Sequence, residues 1–389
     1  MFVPTLGAPF SPSGRANQVF SAQHVALPTT WTVTGNRRNI EAMTLDSTQL
    51  TTPLDSAKPA GPAAGALPHR RLGRSGLAVS VVGLGCNNLG RPHTPTESFT
   101  GTQLVIDAAL EAGITLFDVA DNYGANPGLS EEFLGKALGG RRDQVTIATK
   151  FGMDNGGISG PDFGARGSRR YIIAAVEGSL RRLGTDYIDL FQHHTPDPAT
   201  PIEETLSALD HLVTSGKVRY LGHSNRAGWQ VAQAEYVARE LGTARFISTQ
   251  NNYNLIDRRA ELEVVPAAAE LGLGLLPYFP LANGLLTGKY TSTHAPKDGR
   301  VTHTKPEMLK SAPWAKLEDL AVFGRERDLT MIEIAFSWLA AQPVVGSVIA
   351  GATRPEQVAQ NAAAVRPLSP ADLAAINAIF GPPTKVALF

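Results

Sequence analysis

A chain of 389 residues, 43% apolar, with 35 Lys+Arg against 35 Asp+Glu, carries no net charge. That balance excludes a chain built around a polyanionic partner, so neither nucleic acid nor a membrane surface is expected, and no apolar run reaches the roughly 18 residues that span a bilayer. A single cysteine, Cys86, excludes an internal disulfide and cysteine-based zinc clusters, and it fits a reducing, cytoplasmic setting with no metal site.

The first 40 residues hold no Asp or Glu, carry Arg15, Arg37 and Arg38, and are rich in Ser, Thr, Pro and Ala. Such a segment suits a transit peptide. It also holds Pro4, Pro9, Pro12 and Pro28 and lacks an amphipathic helix, which favours a misassigned start with Met43 as the true beginning. Residues 44 to 67 cannot bury much and read as a flexible lead-in. The expected division is a flexible extension over 1–67 and one folded domain over 68–389.

Arg71-Leu-Gly-Arg-Ser-Gly-Leu-Ala-Val-Ser alternates around Ser75-Gly76 and predicts a short hairpin that seals one end of a barrel. Eight short apolar runs then follow: Val81–Cys86, Leu116–Ala120, Val145–Lys150, Ile188–His194, Tyr220–Ser224, Ile247–Asn251, Gly274–Phe279 and Val345–Gly351. Helical periodicity with end signals fills the gaps at 104–112, 130–138, 170–183, 202–214, 229–241, 260–271 and 330–341, with Pro266 an anomaly in the sixth. Strands alternating with helices must pair in parallel. Eight such units predict a closed (β/α)8 barrel rather than an open doubly wound sheet. Gly83-Leu-Gly85 starts a dinucleotide fingerprint but no Gly-x-Gly-x-x-Gly follows any strand.

In such a barrel the chemistry sits at the carboxyl ends of the strands. Strand two ends in Asp118, strand three in Lys150 and strand four in His193-His194, while Tyr123 lies on the loop after strand two. A phenol is a poor acid at neutral pH until a neighbouring ammonium stabilises its phenolate. Lys150 can do this, Asp118 can keep Lys150 charged, and His194 can bond the substrate oxygen. Taken singly, Asp118 reads equally as a rim carboxylate and Tyr123 as a packing aromatic. Together the four read as a proton donor aimed at a carbonyl. Of the adjacent histidines only one can face the mouth, because neighbours on a strand point to opposite sides.

The motifs Phe117-Asp-Val-Ala-Asp-Asn-Tyr-Gly, Ala148-Thr-Lys, Asp186-Tyr-Ile-Asp-Leu-Phe-Gln-His-His-Thr-Pro-Asp, Gly216-Lys-Val-Arg-Tyr-Leu-Gly-His-Ser-Asn and Leu285-Leu-Thr-Gly-Lys-Tyr resemble those of the aldo-keto reductase superfamily. The similarity runs from about Arg71 to about Ala364. It implies a catalytic tetrad of Asp118, Tyr123, Lys150 and His194, with Tyr123 the general acid in reduction of an aldehyde or ketone.

It also implies an NADP(H) route across the mouth. Ser224, Asn225 and Gln250 carry groups able to hold a carboxamide, and the Tyr278 ring could stack on nicotinamide. The segment from Leu281 through Gly284 and Gly288 to Lys289 resembles the family loop over the pyrophosphate. Gly351-Ala-Thr-Arg-Pro-Glu-Gln matches the adenosine segment, where Thr353 and Arg354 at a helix N-terminus suit a ribose phosphate, favouring NADP over NAD. Gln357 and Asn361 would meet the adenine. The alternative for Arg354, weaker than the phosphate reading, is a solvated surface arginine.

Three positions depart from the family pattern: Val119 stands for a frequent Thr, Phe279 for Ser and Gln360 for Glu. The glycine-rich loop 152–168, with Met153, Phe163 and Arg166, and Asn87-Asn88 after strand one are expected to border the substrate. Thr195-Pro-Asp-Pro-Ala-Thr-Pro also resembles the β subunits of potassium channels, cofactor-sensing partners that usually lack the catalytic His, whereas His194 is present here. A sugar-phosphate isomerase would leave Tyr123 and Lys150 without a use. Glyceraldehyde-phosphate-like aldehydes, aromatic aldehydes, sugars and pyridoxal all stay open as substrates, as do the direction of reaction and the oligomeric state.

Overall fold

The computed structural model describes residues 67–297 and 299–384. Residues 1–66 lie outside this range, and with them the transit-segment and misassigned-start readings and nearly all of the expected extension.

Eight strands form one parallel sheet: β1 Val82–Gly85, β2 Leu116–Asp118, β3 Thr146–Phe151, β4 Ile188–His193, β5 Val218–Ser224, β6 Phe246–Gln250, β7 Gly274–Leu275 and β8 Val348–Gly351. From β1 to β7 each pairs with the next, and β8 pairs with β1. The remaining gap is bridged where Leu275 donates its N–H to Val344 O (2.7 Å) and accepts from Gly346 N–H (2.9 Å). The sheet is thus the (β/α)8 barrel that the alternation predicts.

The crossover helices are α1 Phe99–Glu111, α2 Leu129–Leu138, α3 Arg169–Leu183, α4 Ile202–Thr214, α5 Gly228–Leu241 and α6 Val264–Leu271, followed by α7 Trp314–Arg325, α8 Met331–Ala340, α9 Pro355–Ala362 and α10 Pro370–Ile379. Helix α1 begins five residues before the expected 104, because Ser98 Oγ accepts from Gly101 N–H and caps a first turn with little apolar periodicity. The expected helix 260–271 is instead a one-turn 3₁₀ segment, Arg259–Glu261, and then α6. Pro266 falls in the first turn of α6, where a missing N–H costs no helical bond. Strand β7 stops at Leu275 and not at 279, since Pro277 cannot donate to a ladder. Helices α7 and α10 lie outside the sequence expectation.

The hairpin joins His69–Arg71 to Ala78–Ser80 in antiparallel register. Its loop buries Leu72 fully among Leu116, Ala148, Leu190, Leu276 and Ile349, a cluster separate from the larger core under the helices. Leu72 therefore plugs the amino end of the barrel. Strand alternation sets what lies above the plug. Leu116 leads to Asp118, Ala148 to Lys150, and Leu190 to Gln192 and His194, all on the inward face. Phe117, Ile147, Phe151 and Phe191 face outward into the larger core.

Candidate active site

Lys150 is the centre of the mouth and is fully buried. Its ammonium donates to Asp118 Oδ2 (2.7 Å), Val119 O (2.9 Å) and Tyr123 OH (3.3 Å). An ammonium has three protons, so three acceptors saturate it. Because Tyr123 OH accepts from Lys150, its own proton is free to point elsewhere. Asp118 Oδ1 accepts from Gln250 Nε2 (2.9 Å) and Gln192 Nε2 (3.2 Å), which leaves the carboxylate fully engaged.

The loop that places Tyr123 is tied to β3, with Val119 N–H donating to Ala148 O and Asp121 N–H to Lys150 O. The ring of His194 meets Tyr123 edge-on at 6.0 Å between centroids. His194 Nδ1 is buried with no partner among the described residues. The structure thus brings Asp118, Tyr123, Lys150 and His194 into one cluster. His193 faces the other way, stacked on Phe151.

Electrostatics refine the sequence argument at one point. Burial pushes the Tyr123 phenol above its ordinary value, and Lys150, which pulls it down, does not overcome this. The expected lowering is therefore reversed in direction, and Tyr123 is an acid that holds its proton. Burial acts against the Lys150 ammonium, yet Asp118 and Tyr123 outweigh it and raise its pKa. Burial, reinforced by Lys150, holds His194 far below the ordinary histidine range, so its ring is neutral.

Four of the expected cofactor residues form a single linked rim. Ser224 Oγ donates to Gln250 O (2.7 Å), Asn225 Nδ2 to His194 O (2.9 Å) and Ser224 Oγ (3.1 Å), and Tyr278 OH to Asn225 Oδ1 (2.9 Å). Asn225 sits at φ 57°, a left-handed conformation that asparagine tolerates. The segment after β7 is likewise left-handed at Phe279, Ala282 and Asn283. It holds Leu281 and Gly284, and Gly288 follows it at φ 79°. Lys289 is exposed, its ammonium 5.4 Å from the Tyr290 ring centroid.

After β8, exposed Gly351 leads to Thr353, whose N–H (2.8 Å) and Oγ (3.2 Å) both donate to Gln357 Oε1. Arg354 is the exposed N-cap of α9, and Asn361 is buried on that helix. Gln360 is exposed.

Two residues with a bearing on ligands were missed from the sequence. Arg300, in a one-turn helix Arg300–Thr304, lies over Phe279 at 5.7 Å, and its buried Nε has no partner among the described residues. Asn283 Oδ1 is likewise buried and unpartnered. Asn283 lies within the loop that resembles a pyrophosphate cover and Arg300 beyond it, and the unpartnered Arg300 N–H is a donor that fits an anionic dinucleotide. Arg300 follows no strand end, which is why motif reasoning passed over it, whereas Asn283 lies inside the recognised loop segment without having been singled out. Of the expected substrate-loop residues, Arg166 is engaged by Asp162 and Asp154, while Asn155 ties the loop to Asp121 at 2.9 Å. Cys86 is buried, and burial pushes its thiol upward, which leaves it inert.

The sequence pattern of the Aldo/keto reductase family matches residues 81–380. The chain belongs to the aldo/keto reductase family. Its relatives include the L-glyceraldehyde 3-phosphate reductase of Escherichia coli (strain K12), 36% identical over 318 residues, 78% of this chain and 89% of the relative. The uncharacterized oxidoreductase YrpG of Bacillus subtilis (strain 168) is 38% identical over 308 residues, 77% of this chain and 91% of that one. A probable voltage-gated potassium channel subunit beta of Oryza sativa subsp. japonica is 35% identical over 305 residues, 76% and 90%. This aldo/keto reductase family member therefore has proteins named as oxidoreductases and as channel subunits among its relatives.

Proposed function

We propose that the chain is an NADP(H)-dependent reductase of aldehydes or ketones, with Asp118, Tyr123, Lys150 and His194 as its catalytic residues. The observation that carries this reading is the saturation of Lys150 by Asp118, Val119 and Tyr123, which leaves the Tyr123 proton available to a substrate oxygen. The dinucleotide, when bound, supplies the hydride.

Tyr123 gives its proton to the carbonyl oxygen as that oxygen gains charge. Lys150 then stabilises the phenolate left behind, and Asp118 keeps Lys150 charged in a site with little water. Neutral His194 orients the carbonyl through a ring nitrogen. Ser224, Asn225, Gln250 and Tyr278 would hold the nicotinamide end, and Leu281, Gly284, Asn283, Gly288, Lys289 and Arg300 the pyrophosphate. Gly351, Thr353, Arg354, Gln357 and Asn361 would hold the adenosine end, with Arg354 and the α9 N-terminus facing a ribose phosphate. No helix among the described residues is long and apolar enough to cross a membrane, and a cytoplasmic small-molecule enzyme is the setting we assign.

The test is NADPH binding by fluorescence, followed by oxidation with a panel of carbonyls headed by a short phosphorylated aldehyde, the substrate class in the name of the E. coli relative. Turnover of any member supports the reductase. Tight binding without turnover would favour a cofactor-sensing partner, the reading to which the rice relative points. Absence of binding would overturn both.

A further inference from the structure

We propose a second ligand site on the outer face of the barrel, between α4 and α5, that takes a small oxyanion carried on a planar body. A cavity of about 670 Å³ opens there, with His193 and Arg226 among the residues that line it and Trp229 beside them. It is independent of what binds in the mouth.

Arg226 is the reason for the site. Its side chain is 4% exposed, and no carboxylate among the described residues lies within ion-pair distance of it. Its Nη2 meets His193 Nδ1 at 3.1 Å, while its Nε has no partner among the described residues. For Nδ1 to accept from a guanidinium the His193 ring must be neutral, so His193 contributes no counter-charge. Burial lowers the Arg226 guanidinium only to about 10, and it stays charged at neutral pH. An arginine buried without an anion is costly unless something negative joins it.

The surroundings select the ligand. Asp197, an acid in the lining, already accepts from Gly167 N–H (2.6 Å), Ala199 N–H (2.9 Å) and Thr200 Oγ (2.7 Å), and it makes no ion pair with Arg226. With exposed Glu203 it gives the rim a negative edge, which rejects a polyanion and admits a single small one. Trp229 is 63% exposed at the opening and offers a flat face to the body of the ligand. Pro196, Pro198 and Ile202 line the same opening with apolar surface.

The site also backs onto the barrel mouth. His193 precedes His194 and Arg226 follows Asn225, so in each pair one residue faces the mouth and its neighbour faces this cavity.

Calorimetric titration of the full chain with benzoate and with phenyl phosphate tests the proposal. One equivalent of at least one probe should bind, and Arg226→Gln and Trp229→Ala should each weaken it by about tenfold or more, the scale of a lost charge-assisted bond or aromatic contact. Which probe binds tighter tells a carboxylate from a phosphate ligand. Binding of neither probe, or affinity unchanged in Arg226→Gln, overturns the site. Should Arg226→Gln fail to fold, the surface variant Trp229→Ala decides, since affinity unchanged in it would also overturn the proposal.

Discussion

Lys150 Nζ lies 2.7 Å from Asp118 Oδ2, and both side chains are withdrawn from water, at 0% and 6% exposure. Breaking such a pair strands a buried charge. Lys150→Met should therefore destabilise the fold by about 3–5 kcal/mol, read by urea unfolding. The double variant Asp118→Asn/Lys150→Met should recover part of that loss, because no charge remains unpaired. Equal loss in the single and double variants would show that packing, and not charge, holds the pair.

Tyr123→Phe removes the hydroxyl and little volume. Turnover of the best carbonyl should fall by about 10²–10⁴-fold, while NADPH affinity changes little. Retention of most of the turnover would place the proton donor elsewhere.

The directions of the pKa shifts set the pH profile. Because the Tyr123 value is raised, the acid form persists to higher pH, and reduction should show no basic limb below about pH 10 from this group. His194 is held neutral far below its ordinary range, so it should add no acid limb near neutrality. A kcat profile measured from pH 5 to 10 checks both, and a limb near 7 that disappears in His194→Phe would contradict the second.

Buried histidines should make the fold acid-sensitive. Burial drives His193 down to about 3 and His223 far below its ordinary value, so the unfolded chain takes up protons that the folded chain refuses. Stability is then present above about pH 6.5 and lost as pH falls toward the folded values, by up to about 1.4 kcal/mol per pH unit for each ring. Asp121, which burial and Glu131 push up to about 7, works in the opposite sense: its contribution is lost as pH rises from its ordinary value toward 7. Neither ring nitrogen of His223 has a hydrogen-bond partner among the described residues. Comparing His223→Leu with the parent at pH 5 and 7.5 isolates its share, and the variant should lose less stability on acidification.

Arg354→Ala should reduce NADPH affinity by about tenfold and leave NADH affinity nearly unchanged, the expected loss of one charge-assisted contact to a phosphate. Isothermal titration with both nucleotides measures it. An unchanged preference would assign the phosphate to another cation.

The residues that were easy to read share one property. Asp118, Lys150 and His194 end apolar runs and share the inward parity of their strands, so at the carboxyl ends of those strands they point into the mouth, whereas His193 has the other parity and does not. The residues that were hard to read lack it. Arg300 follows no strand, and nothing in Lys297-Asp-Gly-Arg tells a half-buried guanidinium from a solvated loop. The direction of the Tyr123 shift was equally hidden, because it depends on how much water burial removes and not on which ammonium is near.

The order of strands, the inward period of two and the identity of the mouth residues follow from the linear sequence, since alternation and helix end signals are local and survive without knowledge of neighbours. Closure of the ring through Leu275 and Val345, the plug made by Leu72, and the isolation of Arg226 from every described carboxylate were decided only by tertiary structure. Each joins or separates residues far apart in the chain, and desolvation and distance are properties of the packed barrel alone.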